Sequence, residues 1–329
     1  MPEPIRQHYV NRAYLAAFTD LGTSEGALNV VGFEANKSFK TGVNSIALVS
    51  NLYTCYELKP DPYAFEKRLS KIEGEAKSVL DKILSNGQLP ATDDVSTLIL
   101  YISLMEARNP LFENHIVAFE NWAIGKSGTE VAERLVALNS VRIDFDSDKK
   151  VSGKRMANEA DVLEWRRFIL EKKPSAKWLF LNSIVNYADE LNSALCQRKW
   201  YVCRAAQNCG EFVASDYPVG LVLDSKNKNG QKRHEGFLSP MTMVTFAVSP
   251  ELILVGSYEK RDDSVRFGET EVATCNYATI ALSKYVFSKS GAFKWLDNFS
   301  GPNGTIKEHT ELLDQRDVIL AQRNPTAIP

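Results

Sequence analysis

At Trp200 the hydrophobic period of the chain changes. Upstream, apolar residues recur three and four positions apart over long stretches, the spacing of helices with one buried face. Downstream they alternate or run together in short blocks between turn residues, the pattern of strands. The change predicts an α+β architecture: a mainly helical bundle over the N-terminal two-thirds, packed on a small, mostly antiparallel β-sheet at about 200–256. A single domain over 1–329 is expected, with a helical part at about 1–198 and a small hairpin near 28–41 within it. A β-rich part at about 199–290 and a polar C-terminal tail at about 300–329 complete the outline.

Within the helical part, Val10, Tyr14, Ala17 and Phe18 predict a helix over about 10–20. Gln7 and His8 sit just ahead of it, where the first backbone N–H groups have no intrahelical partner. There they could meet an anion at the positive helix end, or His8 could simply cap the helix. Pro62 opens a helix over about 63–85 that stops at Asn86-Gly87. Glu66 and Glu73 lie two turns apart on it. With Glu75 they suggest a metal-binding face if that side meets a cleft, or a solvated face paired with Lys67, Arg68, Lys71 and Lys77. Thr92-Asp93-Asp94 caps a helix over 95–107 that is apolar almost all round and belongs in the middle of a bundle. Pro110 then forces a kink or a restart to about 124, followed by helices over 129–138 and 159–171. A last helix over 176–195 is capped by Ser175.

The β-rich part reads as strands over 200–206, 211–214, 241–248 and 252–255, with a polar loop at 224–235. A helix beginning near Asn276, an extended stretch at 285–287 and a short segment at 294–299 follow. Ser215-Asp216 precedes a proline-stiffened turn, where sheet proteins project polar side chains; an Asx-turn bonding its own backbone is the plainer reading.

Several classes are excluded. There is no P-loop, GxGxxG, HExxH, GxSxG or zinc-ligand array. A net charge of -2 and a pI near 6.2 give no global basic field, which argues against a protein that coats nucleic acid but not against a local basic cleft. Five cysteines, an odd number with no CxxC, fit reduced thiols and a cytoplasmic location. No apolar run is long enough for a membrane span, so no membrane partner is expected.

What remains is a sparse polar set. Arg108 ends a buried helix beside a forced break, so its guanidinium needs a carboxylate, carbonyl or phosphate. Arg108 and His115 loosely resemble the Arg–His spacing of HEPN ribonucleases. Gln7-His8-Tyr9-Val10, with Tyr14, Leu15 and Phe18, resembles the opening signature of the uncharacterised, mostly bacterial family DUF4238, although Asn11 replaces its usual proline. Phe212-x-x-Ser215-Asp216-x-Pro218-Val219 and Asn276 before Tyr285-Val286-Phe287-Ser288 resemble the same family's C-terminal half.

Together these residues predict a hydrolase of phosphodiester type, a nuclease-like effector whose scattered bacterial relatives suit a defence role. His8, Arg108 and Asp216 are the expected catalytic residues, and Gln7, Ser215 and Asn276 the expected substrate contacts. Glu66 and Asp216 are the candidate ligands of a divalent metal, and nucleic acid or a nucleotide is the expected partner. The alternative is a non-catalytic ligand-sensing or protein-interaction module in which the same cluster is structural.

Overall fold

A computed structural model describes residues 6–110, 167, 171–172, 175–223, 236–259, 265–297 and 304–322. The expected helices over 111–124 and 129–138 and the loop at 224–235 lie outside the described residues, as does most of the helix expected over 159–171.

The helices follow their local chemistry. Helix α1 (Arg12–Ala16) is shorter than its apolar spacing suggests. Asn11 caps it, accepting the Tyr14 N–H at 3.1 Å, and the chain then turns around the Thr19 hydroxyl, which donates to the Ala16 and Thr23 carbonyls. Helix α2 (Ala64–Asn86) stops where Gly87 takes the left-handed conformation, φ 67°, and returns its N–H to the Ile83 carbonyl. Helix α3 (Thr92–Ala107) carries Asp93 and Asp94 in its first turn, where the helix dipole favours them. Helix α4 (Ala176–Leu195) begins at a Ser175 cap, as its sequence predicts. Helix α3 packs between α2 and α4 and buries Leu98, Ile99, Tyr101, Ile102 and Met105.

The helical-bundle-on-a-small-sheet expectation is wrong. The described residues hold six helices and four sheets, and the strands come from both ends of the chain. β1 (Arg6–His8) pairs antiparallel with β4 (Leu48–Ser50). The expected hairpin is β2 (Ala27–Gly32) against β3 (Lys37–Gly42), with Val30 opposite Phe39. It does not stand alone: β2 also pairs with β11 (Tyr285–Ser288), which in turn pairs with β6 (Ala214–Ser215).

The reason lies in the two faces of β2. Leu28 and Val30 enter the main core, whereas Val31 and the following Phe33 enter a second core with Phe293, Trp295, Leu312 and Ile319. A strand buried on both faces needs a sheet around it, not a solvent-facing hairpin. Residues 304–322, expected as part of a polar tail, build that second core through β13 (Thr305–Glu308), a 3₁₀ turn (His309–Gln315) and helix α6 (Arg316–Gln322). β13 pairs with β12 (Lys294–Asp297).

The larger sheet has five strands in the order β10 (Arg266–Phe267), β5 (Lys199–Ala205), β9 (Leu252–Ser257), β8 (Thr242–Ala247) and β7 (Val219–Leu223). Only the β10–β5 pair is parallel. Arg198, buried just before β5, fastens residues 237–242 to β9 by donating to the carbonyls of Phe237, Ser239, Thr242 and Gly256. Its guanidinium also covers the Tyr258 ring, 4.7 Å from the centroid.

Helix α5 (Glu269–Ile280) lies against β7 and β12 and joins the two sheets. Asn276 on it, a substrate contact by sequence, is buried among backbone groups: it accepts the Val213 N–H at 3.0 Å and donates to the carbonyls of Glu211 and Lys294 at 2.9 and 2.8 Å. Asn276→Ala should therefore lower stability by about 2–4 kcal/mol through unpaired buried backbone groups. Asn276→Asp should do at least as much by facing a carboxylate with two carbonyls. Urea unfolding of both variants checks this; a loss under about 0.5 kcal/mol would show the amide to be dispensable.

Candidate functional site

Part of the polar set, His8, Glu66 and Arg108, comes together with Glu73 between β1 and the α2–α3 hairpin. In β1, Gln7 is buried and His8 half-buried. Gln7 accepts the Tyr53 N–H at 2.6 Å and donates to the Thr54 hydroxyl at 3.3 Å, so both ends of its amide fasten the segment after β4. Neither residue stands at a helix N-terminus, because the strand pairing with β4 takes their place and Asn11 caps α1 instead.

Seven-residue spacing does the next step of the assembly. Glu66 and Glu73 lie two turns apart on α2, and Tyr101 and Arg108 lie two turns apart at the end of α3. The two pairs face each other. Arg108, 1% exposed, donates to the Glu73 carboxylate, and the Met105 sulfur lies beside the guanidinium. Burial lowers the Arg108 pKa, but Glu73, Tyr53 and Tyr101 outweigh it and leave the net shift upward.

Around this ion pair the titratable groups move towards their neutral forms. Burial first, then the Arg12 charge, lowers the His8 pKa, against a Val43 backbone hydrogen bond and the Glu73 carboxylate, which raise it. Burial, then Glu73, raises the Glu66 pKa, against Arg108. His8 Nε2, Glu66 Oε2 and Arg108 Nε are buried atoms with no hydrogen-bond partner. Three elements thus bring a base, an acid and a guanidinium, each with one unpartnered buried atom, into the field of one carboxylate, Glu73.

Asp216 stands one residue away from that group. Its Oδ1 accepts the N–H groups of Lys284 and Tyr285 at 2.6 and 2.9 Å, its Oδ2 accepts the Tyr9 hydroxyl at 3.5 Å, and its carbonyl accepts the Asn109 side chain at 2.6 Å. It therefore ties β11 to the residues that follow His8 and Arg108. Ser215 is equally engaged, donating to the Thr279 carbonyl and accepting the Tyr217 N–H. Asn276 belongs to the α5 packing described above. The residues that sequence predicts to contact substrate (Gln7, Ser215 and Asn276) thus all bond neighbouring segments of the chain.

The suggested metal pair, Glu66 with Asp216, is split between two settings: Glu66 stands beside Glu73 and Arg108, Asp216 on backbone amides. Among the described residues no group of three or more His, Cys, Asp or Glu side chains could hold a metal ion. His115 lies outside the described residues. No helix among them is long and apolar enough to cross a membrane.

Sequence reasoning passed over Tyr101 and Glu106. The signal for Tyr101 was its spacing from Arg108; that for Glu106 was a carboxyl in an otherwise apolar stretch.

The chain belongs to DUF4238, a family described as proteins of unknown function, whose model matches residues 6–291. The matched region contains every residue of the polar group, from Gln7 to Asn276. Comparison with curated proteins and with solved structures gives no match.

Glu106 carries a testable consequence. One oxygen accepts the Tyr217 hydroxyl at 2.5 Å and the other has no partner; burial pushes the carboxyl up to about 8, against the Tyr217 hydrogen bond. The folded pKa lies above the unfolded value of 4.5, so the folded state holds the proton longer. Its contribution to stability is complete below pH 4.5 and is lost as pH rises towards 8. Glu106→Gln removes that slope, so relative to wild type the variant should gain on the order of 2–4 kcal/mol between pH 5 and pH 9. Urea titrations of both proteins across that range measure the difference, and a pH-independent offset would contradict it.

Proposed function

We propose that the chain hydrolyses phosphodiester bonds, with the cluster of His8, Glu66, Glu73 and Arg108 as its active site. The observation that carries this reading is the set of three unpartnered buried atoms, His8 Nε2, Glu66 Oε2 and Arg108 Nε, around one carboxylate. A lowered imidazole accepts a proton from the attacking water as a general base. A raised carboxyl gives one to the departing ester oxygen. The oxygen–phosphorus bond to water forms, the ester bond breaks, and the proton lost to His8 is matched by the one supplied from Glu66. Arg108 faces the charge that develops on the phosphoryl oxygens, held in place by Glu73. Asp216 acts as a positioning residue through Tyr9 and Asn109.

Nucleic acid or a nucleotide is the substrate in this reading. Free thiols at Cys55, Cys196, Cys203, Cys209 and Cys275 suit the reducing cytoplasm. A nuclease-like role fits a bacterial defence effector by analogy alone.

A second reading has its own support. Arg108 already has an anionic partner in Glu73, and Gln7 is committed at both ends, as in a structural network that senses a ligand or a protein without turnover.

Single-stranded RNA, single-stranded DNA and an activated phosphodiester, each with and without Mg²⁺ or Mn²⁺, separate the two. Wild type should turn over at least one of them, and His8→Ala and Glu66→Gln should each slow it by about 10²–10⁴-fold. Both variants should keep the melting temperature within about 2 °C of wild type. The pH–rate profile should be bell-shaped, its two limbs set by His8 and Glu66, with one limb missing in Glu66→Gln. Absence of turnover in wild type under all these conditions leaves the sensing reading.

A further inference from the structure

Two arginines flank His8 and take no part in the mechanism above. Arg6 and His8 lie two residues apart in β1, whose alternation turns Gln7 into the core and leaves Arg6 and His8 on the other face. Arg6 is exposed there, and His8 half-buried. Arg12 comes to the same place by another route. Its Nη1 donates to the Asn44 side-chain oxygen at 2.9 Å, and the preceding residue, Val43, hydrogen-bonds the imidazole through its backbone. Val43 and Asn44 belong to one 3₁₀ turn (Val43–Ser45), which packs on α1. Strand alternation and a shared turn thus bring two guanidinium groups to His8.

Both arginines keep their charge uncompensated. Asn44 is a neutral acceptor that engages only one donor of the Arg12 fork, and among the described residues neither Arg6 nor Arg12 has a carboxylate partner. Burial first, then Arg12 and, most weakly, Arg6 lower the His8 pKa, as cations at short range do. Arg108 cannot attract an anion in the same way, because Glu73 already neutralises it. The chain as a whole carries a charge of -2, so an anionic ligand has to be drawn in by a local group. Arg6 and Arg12 are exposed, so an anion bound there meets a free cation without being buried.

A guanidinium fork fits two phosphate oxygens at once. One phosphate would leave the second arginine unmet, whereas linked phosphates engage both. We infer that Arg6 and Arg12 are ligand-binding residues that hold neighbouring phosphate groups of one oligonucleotide strand beside His8. This rests on the hydrolase reading for which bond is cut, but not for the contact itself. It narrows the ligand from any phosphodiester to a chain of them.

The test uses the full chain. Fluorescence anisotropy follows the binding of labelled single-stranded RNA and DNA to the His8→Ala protein, which keeps the probe intact, between 50 and 300 mM salt. Each phosphate contact contributes about 0.7 to the slope of log Kd against log salt. Arg6→Gln and Arg12→Gln should each lower the slope by about that amount and weaken binding about 2–5-fold. Arg12→Lys should restore the slope, since it keeps the charge. In the enzyme with His8 intact, each Gln variant should raise KM for the oligonucleotide and leave kcat, and turnover of the small activated diester, unchanged. Melting within about 2 °C of wild type shows that the variants stay folded.

A slope unchanged in either Gln variant would overturn the inference, as would binding of both probes that salt does not weaken. Inorganic polyphosphate that competes better than RNA and DNA would overturn the assignment to nucleic acid. Binding with the expected slopes in a protein that turns over no diester keeps the two contacts and removes the hydrolase reading. Turnover of the small diester, lost in His8→Ala, by a protein that binds neither oligonucleotide does the opposite.

Discussion

A guanidinium at the end of an apolar helix cannot be left without an anion, and the pairing of Arg108 with Glu73 is the constraint on which the site depends. The pair fixes the register of α2 against α3, because Glu73 can meet Arg108 only when the two helices slide to one relative position. Because Glu66 lies two turns from Glu73 and Tyr101 two turns from Arg108, that register also brings Glu66 into electrostatic range of Arg108, and Tyr101 into range of Glu73. Removing one member of such a pair costs about 3–5 kcal/mol, far more than a surface ion pair, because the other charge is stranded. The cluster's geometry and the helical hairpin's stability therefore share one cause.

The second half of the frame comes from the far end of the chain. β2 and β11 are separated by more than two hundred residues, yet they pair, and the sheet they form divides the main core from the smaller core around Trp295. Asp216, at the edge of that sheet, then reaches back to Tyr9 and Asn109. The residues that follow His8 and Arg108 are thus held by a segment 207 and 107 positions further along the chain. Closing so long a loop is slow in folding terms, and it makes the site a property of the completed fold and not of the helical hairpin alone.

Much of this was legible from residue spacing, and the failures have physical reasons. The bounds of α4, the Asn86-Gly87 stop of α2 and the hairpin around Asn36 were readable because caps and turns use local chemistry. The bundle expectation failed because β1, β6 and β11 are only two to four residues long, too short to show a period, and their pairing partners are remote. Arg108 and His8 stood out by residue type in an apolar setting. Asp216, Ser215 and Asn276 stood out for the same reason, yet they bond the backbone: a polar residue that must satisfy a neighbouring strand and one that faces a ligand look alike in sequence. Glu106 and Tyr101 went unread because a helix with so many apolar residues masks a single carboxyl or hydroxyl.

The polar cluster also shows one cause acting in two directions. Burial disfavours charge, so it lowers the pKa of an imidazole and raises that of a carboxyl. His8 and Glu66 both feel it, and both shift towards neutrality, whereas at Arg108 the Glu73 carboxylate and two neighbouring tyrosines outweigh it. The interior thus keeps one compensated ion pair flanked by an imidazole and a carboxyl, each shifted towards its neutral form. A base and an acid with opposite shifts are what proton transfer between water and a leaving group requires. Desolvation, a cost to a purely structural cluster, moves both groups in the direction that such proton transfer would use.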